Sequence, residues 1–145
     1  EIRPVLAPGG RAAFRTFCSP EHPESPETIA RDVAGGWQGN VHALKWRIAM
    51  ALATSMPDAI VPVRAILDAF NRMFPDRRHL AASMGWEMDE IATLDAYDGA
   101  DHSLGFPTLP RLLEAGARHF RSAAVVPGTG YPLAERCPTV IWQSH

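Results

Sequence analysis

The chain has 145 residues, with 14 Lys plus Arg against 16 Asp plus Glu and a formal net charge of −2; this balance excludes a broad basic surface for nucleic acid. Apolar residues make up 46% of the sequence, which excludes bulk disorder, and no apolar run is long enough to span a membrane. Two cysteines without a signal-peptide pattern exclude a disulfide scaffold and indicate a single cytoplasmic domain with reduced thiols.

Three short apolar segments bounded by turn residues predict strands. They lie near 11–17, 121–126 and 139–143. The first follows a Pro-Gly-Gly turn at 8–10, and the third follows Pro138. The segment 100–107 has no comparable pattern, so we expect a loop there.

Helices are predicted where an N-cap residue precedes apolar residues at a spacing of 3.6. The predicted helices run from Pro26 to Gly35 after Ser25, from Val41 to about Thr54 after Asn40, from about Val61 to Phe74, from Asp76 to Met84, and from Leu109 after Thr108. On the second helix, one apolar face consists of Val41, Leu44, Ile48 and Ala51 or Leu52. The segment 87–97 fits either a helix or a strand.

Two segments resemble class I S-adenosylmethionine-dependent methyltransferases. They are VLAPGGRAAFRTF at 5–17 and LLEAGARHFRSAAVVPGTGYPLAERCPTVIWQS at 112–144. In that family a Pro-Gly-Gly turn precedes the fifth strand of the sheet. Helices follow, and they often form a lid over the bound acceptor. A helix with Ala-Gly near its end then precedes a closing antiparallel pair of strands. The intervening GNVHALKWRIAMALA, DAYDG and GFPT are similar to one branch of small-molecule methyltransferases.

The resemblance implies an α/β fold, namely the terminal part of a Rossmann-like doubly wound sheet with a mostly helical insertion. Residues 1–145, which begin with Glu1 rather than Met, would be a single fragment of the domain, and 19–107 would be its helical lid. The last strand should run antiparallel beside 11–17 and bring Cys18 close to Cys137. The segment 91–97 should be extended.

The implied activity is methyl transfer to a small-molecule acceptor, with S-adenosylmethionine as the cofactor. The Gly-rich loop that binds this cofactor in the family is absent from the sequence, so no cofactor-binding residue can be assigned. The chain would supply the acceptor-side lid and one sheet edge, and alone it should be inactive. The free edge of strand 11–17 would pair with the missing amino-terminal half or with a second copy. Neither nucleic acid nor a membrane is an expected partner.

Four residues are candidates for acceptor binding: Trp37, His42, Trp46 and Tyr97. His42 and Trp46 share one helix face at i, i+4, with Lys45 beside them. His42 is also the candidate catalytic base for a hydroxyl acceptor, because an unperturbed imidazole titrates near neutral pH. The alternative interpretation is that these side chains only pack. The histidines are too widely spaced for a metal-binding motif, so no metal is expected.

Two other functions remain open. The segment 79–95, HLAASMGWEMDEIATLD, resembles a helix-turn-helix DNA-binding module, which requires 91–97 to be helical rather than extended. The exposed side of its second helix would be mostly acidic, which opposes binding to phosphates. The other alternative is a non-catalytic partner subunit that completes the sheet of another chain.

Overall fold

A computed structural model describes residues 6–145, which form a mixed α/β structure. The chain divides into two compact units. The first, here called the sheet unit, comprises the residues up to 20 together with 107–145, and the second, the helical unit, comprises 21–106. These boundaries are close to those of the predicted insertion, 19–107.

The sheet unit contains three strands, β1 (Arg11–Arg15), β4 (Ser122–Val126) and β5 (Thr139–Gln143). Their order in the sheet is β1-β5-β4. Strand β5 is antiparallel to both neighbours, so β1 and β4 run in the same direction. The predicted pairing of the last strand with 11–17 is therefore confirmed, with Arg15 opposite Thr139.

Cys18 and Cys137 come together as this pairing requires. The amide of Cys18 donates a 2.8 Å hydrogen bond to the carbonyl of Arg136, the residue before Cys137. With standard backbone dimensions, the two Cα atoms are within about 7 Å of each other, which confirms the predicted proximity. Both cysteines are buried, and both thiols are free.

The core of the sheet unit forms where helix α6 (Leu109–Ala117) meets β5. Val140 and Trp142 of β5 are buried, and the Trp142 indole stacks on Phe120 at a centroid distance of 5.4 Å. Gly116 of α6 lies directly against the indole, in space that a side chain would need. Thr108 caps α6, as predicted, by accepting a hydrogen bond from the amide of Arg111.

The outer edges of the sheet have no partner strand within residues 6–145, since β1 and β4 are the two ends of the order β1-β5-β4. Both outer strands are largely exposed. Among residues 6–145, strand β1 pairs only with β5. What pairs with its other edge stays a prediction.

The helical unit is built around α2 (Val41–Ala53), which packs against α1 (Pro26–Ala34) and α3 (Val63–Met73). Asn40 caps α2 as predicted, accepting a 2.8 Å hydrogen bond from the amide of Ala43. The prediction of a single apolar face was too narrow. Ala51 and Leu52 are only half-buried, whereas Ala43, Arg47, Ala49 and Met50 are buried as well, because neighbouring elements enclose α2 on several sides.

Two very short strands in this unit were not predicted. Strand β2 (Ile60–Pro62) pairs antiparallel with β3 (Ser103–Gly105). The prediction of a helix from about 61 was therefore wrong at its start, since Pro62 is the N-cap of α3, and the predicted loop at 100–107 contains a strand. Segments of three residues are too short to show the alternation that identifies a strand.

Helices α4 (Arg77–Met84) and α5 (Met88–Ala92) follow α3, and a 3₁₀ turn (Thr93–Tyr97) extends α5. The expectation that 91–97 is extended was therefore wrong. A capping box starts α5, in which the Glu87 amide donates a 3.1 Å hydrogen bond to the Glu90 carboxylate. Ile91 and Leu94, three residues apart, are both buried, and this spacing suits a helical turn.

The remaining predicted helix ends are confirmed by their local chemistry. Ser25 caps α1 by accepting from the amide of Thr28 at 3.2 Å, and Pro26 occupies the first turn. Asp76 caps α4, and Gly85 ends it in the left-handed conformation, with φ of 67°. Among residues 6–145, no helix has both the length and the apolar character needed to cross a bilayer.

We expect Gly116→Ala to lower the free energy of unfolding by about 1–3 kcal/mol, because the new Cβ would overlap the Trp142 indole in a packed core. Gly105→Ala is the control, since a Cβ there meets nothing within 4 Å. The control should change stability by no more than about 0.5 kcal/mol. Urea unfolding followed by circular dichroism measures both, and equal stabilities would show that the Gly116 contact is unimportant.

Candidate functional site

Lys45 lies between two aromatic rings in the helical unit. Its Nζ is 4.4 Å from the ring centroid of Trp46, the next residue on α2. It is also 5.4 Å from the ring centroid of Tyr97, at the end of the 3₁₀ turn that follows α5. We call Lys45, Trp46 and Tyr97 the lysine site; it brings together two of the four predicted acceptor-binding residues.

Two further aromatic side chains support the rings of the lysine site. Phe106 packs on Trp46 at a centroid distance of 5.9 Å, and His102 meets Tyr97 edge-on at 6.2 Å. Both supporting residues flank β3 and are fixed by the backbone. The carbonyl of His102 accepts from the Val63 amide at 3.1 Å, and the Phe106 amide donates to a carbonyl at 2.9 Å. The unpredicted β2–β3 pair therefore positions the lysine site.

Burial makes the charged form of Lys45 less stable than it is at an exposed lysine. Burial lowers the pKa of Lys45, because a low-dielectric environment disfavours the ammonium. Burial also raises the pKa of Tyr97, which keeps its phenol neutral. No carboxylate among residues 6–145 forms an ion pair with Lys45. An amine in this setting can pair with an anionic ligand or act as a nucleophile.

Lys45 has no role in the sequence-based prediction, although it lies beside His42 and Trp46 on α2. The available signal was composition, because Lys45 is the single lysine among 14 Lys plus Arg residues. A protein that uses arginine at almost every cationic position has one side chain able to lose its proton and react as an amine.

His42 lies one turn before Trp46 on α2, and its side chain is exposed. The structure describes no hydrogen bond or ring contact to its imidazole within residues 6–145. A catalytic base is normally oriented by a hydrogen-bonded partner, although that partner can be the substrate. The role of His42 as a base therefore remains a prediction, and the lysine site does not depend on it.

Trp37 is held by a different group of residues. The guanidinium of Arg47 lies 5.4 Å from the Trp37 ring centroid and forms ion pairs with Glu24 and Asp32. The Arg47 Nε donates to both Glu24 carboxylate oxygens at 3.0 Å, and only 5% of Arg47 is exposed. Trp37 thus lies against the buried cation of an ion-pair network, of which Asp32 is exposed. The structure describes no ring contact between Trp37 and the lysine site among residues 6–145.

Two open clefts lie elsewhere in the helical unit, with volumes of about 330 and 400 Å³. They share Ala30 of α1 and Met73 of α3. None of the four predicted acceptor-binding residues lines either cleft. The lysine site is therefore a surface cluster of side chains, separate from these clefts.

The sheet unit has its own polar cluster beside the cysteines. Arg15 donates a 2.7 Å hydrogen bond to the Tyr131 hydroxyl and lies 4.9 Å from the centre of the same ring. A hydrogen bond to Cys137 raises the pKa of Tyr131. Burial, and then the neighbouring Cys137, raise the pKa of the Cys18 thiol, so this thiol stays protonated and unreactive at neutral pH.

A metal centre has no support in the described part of the chain. No group of three His, Cys, Asp or Glu side chains among residues 6–145 could hold an ion.

Arg47→Met should lower the free energy of unfolding by about 1–3 kcal/mol, because it removes a buried cation and leaves the half-buried Glu24 carboxylate without its partner. Arg64→Met is the matched control, since the Arg64 pairs with Asp68 and Asp98 are exposed. We expect the control to cost no more than about 1 kcal/mol. Urea unfolding compares the two, and similar losses would rule out a special contribution from the buried network.

Alkaline pH should destabilise the protein partly through Cys18. The folded-state pKa of this thiol is raised above its ordinary value of 9.0, so its contribution is complete below about pH 9. It is lost as pH rises through the folded-state pKa, because the unfolded chain then binds fewer protons than the folded chain. The free energy of unfolding should fall more steeply above pH 9 in the parent than in Cys18→Ala. Parallel slopes in urea titrations would contradict this assignment.

Comparison with known proteins adds no relative. No family model matches the chain, no curated protein matches it, and no solved structure matches it. The residues and the geometry described above are therefore the basis of any functional assignment.

Proposed function

We propose that this chain is the carboxy-terminal part of an S-adenosylmethionine-dependent methyltransferase that acts on a small molecule. The observation that carries the proposal is the strand order β1-β5-β4, with β5 antiparallel between two strands of the same direction. The methyltransferase resemblance led to the same placement of the last strand beside the strand at 11–17. The finer fold that we propose is the end of a doubly wound sheet.

Two local features support the same proposal. A turn precedes β1, in which the Gly10 amide donates to the Ala7 carbonyl at 2.8 Å and Gly9 has φ of 73°. Helix α6 carries Ala115-Gly116 near its end and leads into β4. Both features have counterparts in the methyltransferase pattern. A reducing compartment such as the cytoplasm would suit the two free thiols.

In this proposal the helical unit serves as the acceptor lid, and the lysine site contacts the acceptor. The rings of Trp46 and Tyr97 would hold a planar acceptor, and Lys45 would attract an acidic group on it. The cofactor's sulfonium supplies the methyl group and its own leaving group. The tasks left to these residues are to orient the acceptor and to exclude water. The Gly-rich cofactor loop is not among the residues of this chain, so we assign no cofactor contact to it.

The helical conformation of 91–97 counts against the proposal, since the resemblance implied an extended segment there. It equally satisfies a requirement of the helix-turn-helix alternative. However, α5 spans only five residues, which is short for a helix that reads the major groove. Glu87, Asp89, Glu90 and Asp95 around it are exposed and acidic. Such a surface repels phosphate, so we do not propose DNA binding.

Residues 1–145 alone should not bind S-adenosylmethionine with micromolar affinity, because nucleotide cofactors in such sheets are anchored by a Gly-rich loop and a helix terminus. Isothermal titration calorimetry with the purified chain measures this directly. Micromolar binding would show that the cofactor site has been misplaced.

The activity itself is tested on the natural polypeptide that contains this chain. We expect it to transfer tritiated methyl groups from S-adenosylmethionine to at least one member of a panel of phenols, amines and carboxylic acids. Trp46→Leu should raise the KM for that acceptor with little change in the cofactor KM, because Trp46 belongs to the acceptor side. A polypeptide that binds no cofactor would instead indicate the non-catalytic subunit that completes another chain's sheet.

A further inference from the structure

We propose that Lys45 forms a reversible imine with a small aromatic aldehyde. The Nζ lies 4.4 and 5.4 Å from the ring centroids of Trp46 and Tyr97, and no carboxylate of residues 6–145 pairs with it. An ion pair would hold the proton on the amine, so its absence is what a nucleophilic lysine requires. This inference does not depend on the proposed methyl transfer.

The two rings beside the Lys45 amine each contact a further aromatic side chain. Trp46 is backed by Phe106, which is only 4% exposed, and Tyr97 is backed by His102. A side chain held between two supported rings loses less freedom on reaction than a surface lysine does. The same ring surfaces offer apolar contact to the flat body of an aromatic aldehyde.

The protonation equilibrium of Lys45 also supports the proposal. The ring faces attract an ammonium, while burial disfavours it, and the pKa of Lys45 is lowered from its ordinary value. Tyr97 contributes no charge, because burial raises the pKa of its phenol. His102 contacts the Tyr97 ring edge-on. A larger fraction of neutral amine is therefore present than at an exposed lysine.

The reaction balances without an added oxidant or reductant. The neutral amine of Lys45 attacks the aldehyde carbon, and a C–N bond forms as the carbonyl π bond breaks. One amine proton then passes through solvent to the oxygen, which gives a carbinolamine. Solvent at this half-exposed site protonates the carbinolamine oxygen. Water then leaves and the C=N bond forms, with loss of the remaining amine proton. The net change is amine plus aldehyde to imine plus water, and hydrolysis reverses it.

The test uses benzaldehyde with cyanoborohydride at neutral pH, since the hydride traps the imine as a stable secondary amine. Because Lys45 is the single lysine of the sequence, only its side chain and the terminal amine can be modified. Peptide mass mapping distinguishes these two positions. Lys45 in the native chain should be modified several-fold faster than Nα-acetyllysine amide. The excess should disappear when the chain is unfolded in urea. Equal rates in the native chain and the reference amide would overturn the proposal.

Three variants define the site. Lys45→Arg keeps the charge and should give no adduct at position 45. Benzaldehyde binding is also compared without cyanoborohydride. If Lys45→Arg then binds benzaldehyde as tightly as the parent, the binding is non-covalent and the imine proposal fails. Tyr97→Phe keeps the ring and should keep the fast rate. Tyr97→Leu removes the ring and should reduce the rate to that of the reference amide. Circular dichroism checks that each variant is folded. Equal modification rates for Tyr97→Phe and Tyr97→Leu would show that the ring at position 97 does not contribute to the reactivity of Lys45.

Discussion

The sheet unit depends on the position of β5, because β1 and β4 have no contact with each other except through it. Its five residues form both antiparallel ladders and contribute Val140 and Trp142 to the core. Without β5, the strands β1 and β4 would each lack a partner, and neither of the two antiparallel ladders could form. The contact between Trp142 and Gly116 also brings α6 onto the sheet. The strand order that carries the methyltransferase proposal therefore depends on this one strand.

Much of this architecture could be predicted because its determinants are local. Ser25, Asn40 and Gly85 mark helix ends by chemistry that needs no knowledge of the rest of the chain. The error at 91–97 arose where local signals conflict. Residues there suit a strand or a helix equally, and the capping box at Glu87 together with the burial of Ile91 and Leu94 decided in favour of the helix.

The site was harder to predict because tertiary packing determines its membership. Lys45 and Arg47 are two residues apart on α2, yet Lys45 lies between half-exposed rings and Arg47 is buried beside two carboxylates. Since α2 is enclosed on several sides, no polar face in its sequence shows which direction leads to solvent. Tyr97 is distant from Trp46 in sequence, and both contact Lys45. The β2–β3 pair positions Phe106 and His102, which contact these two rings, and strands of three residues show no recognisable sequence pattern.

The strand order also sets the sequence of events during synthesis. The helical unit is continuous, from 21 to 106, so all of its contacts are available before the last strand leaves the ribosome. The sheet unit must wait, because β1 emerges early and its partner β5 is the last of the three strands to appear. During that interval the edge of β1 that will pair with β5 is unpaired, and such edges invite pairing with other chains. Expression of this protein should therefore be sensitive to the speed of translation between β1 and β5.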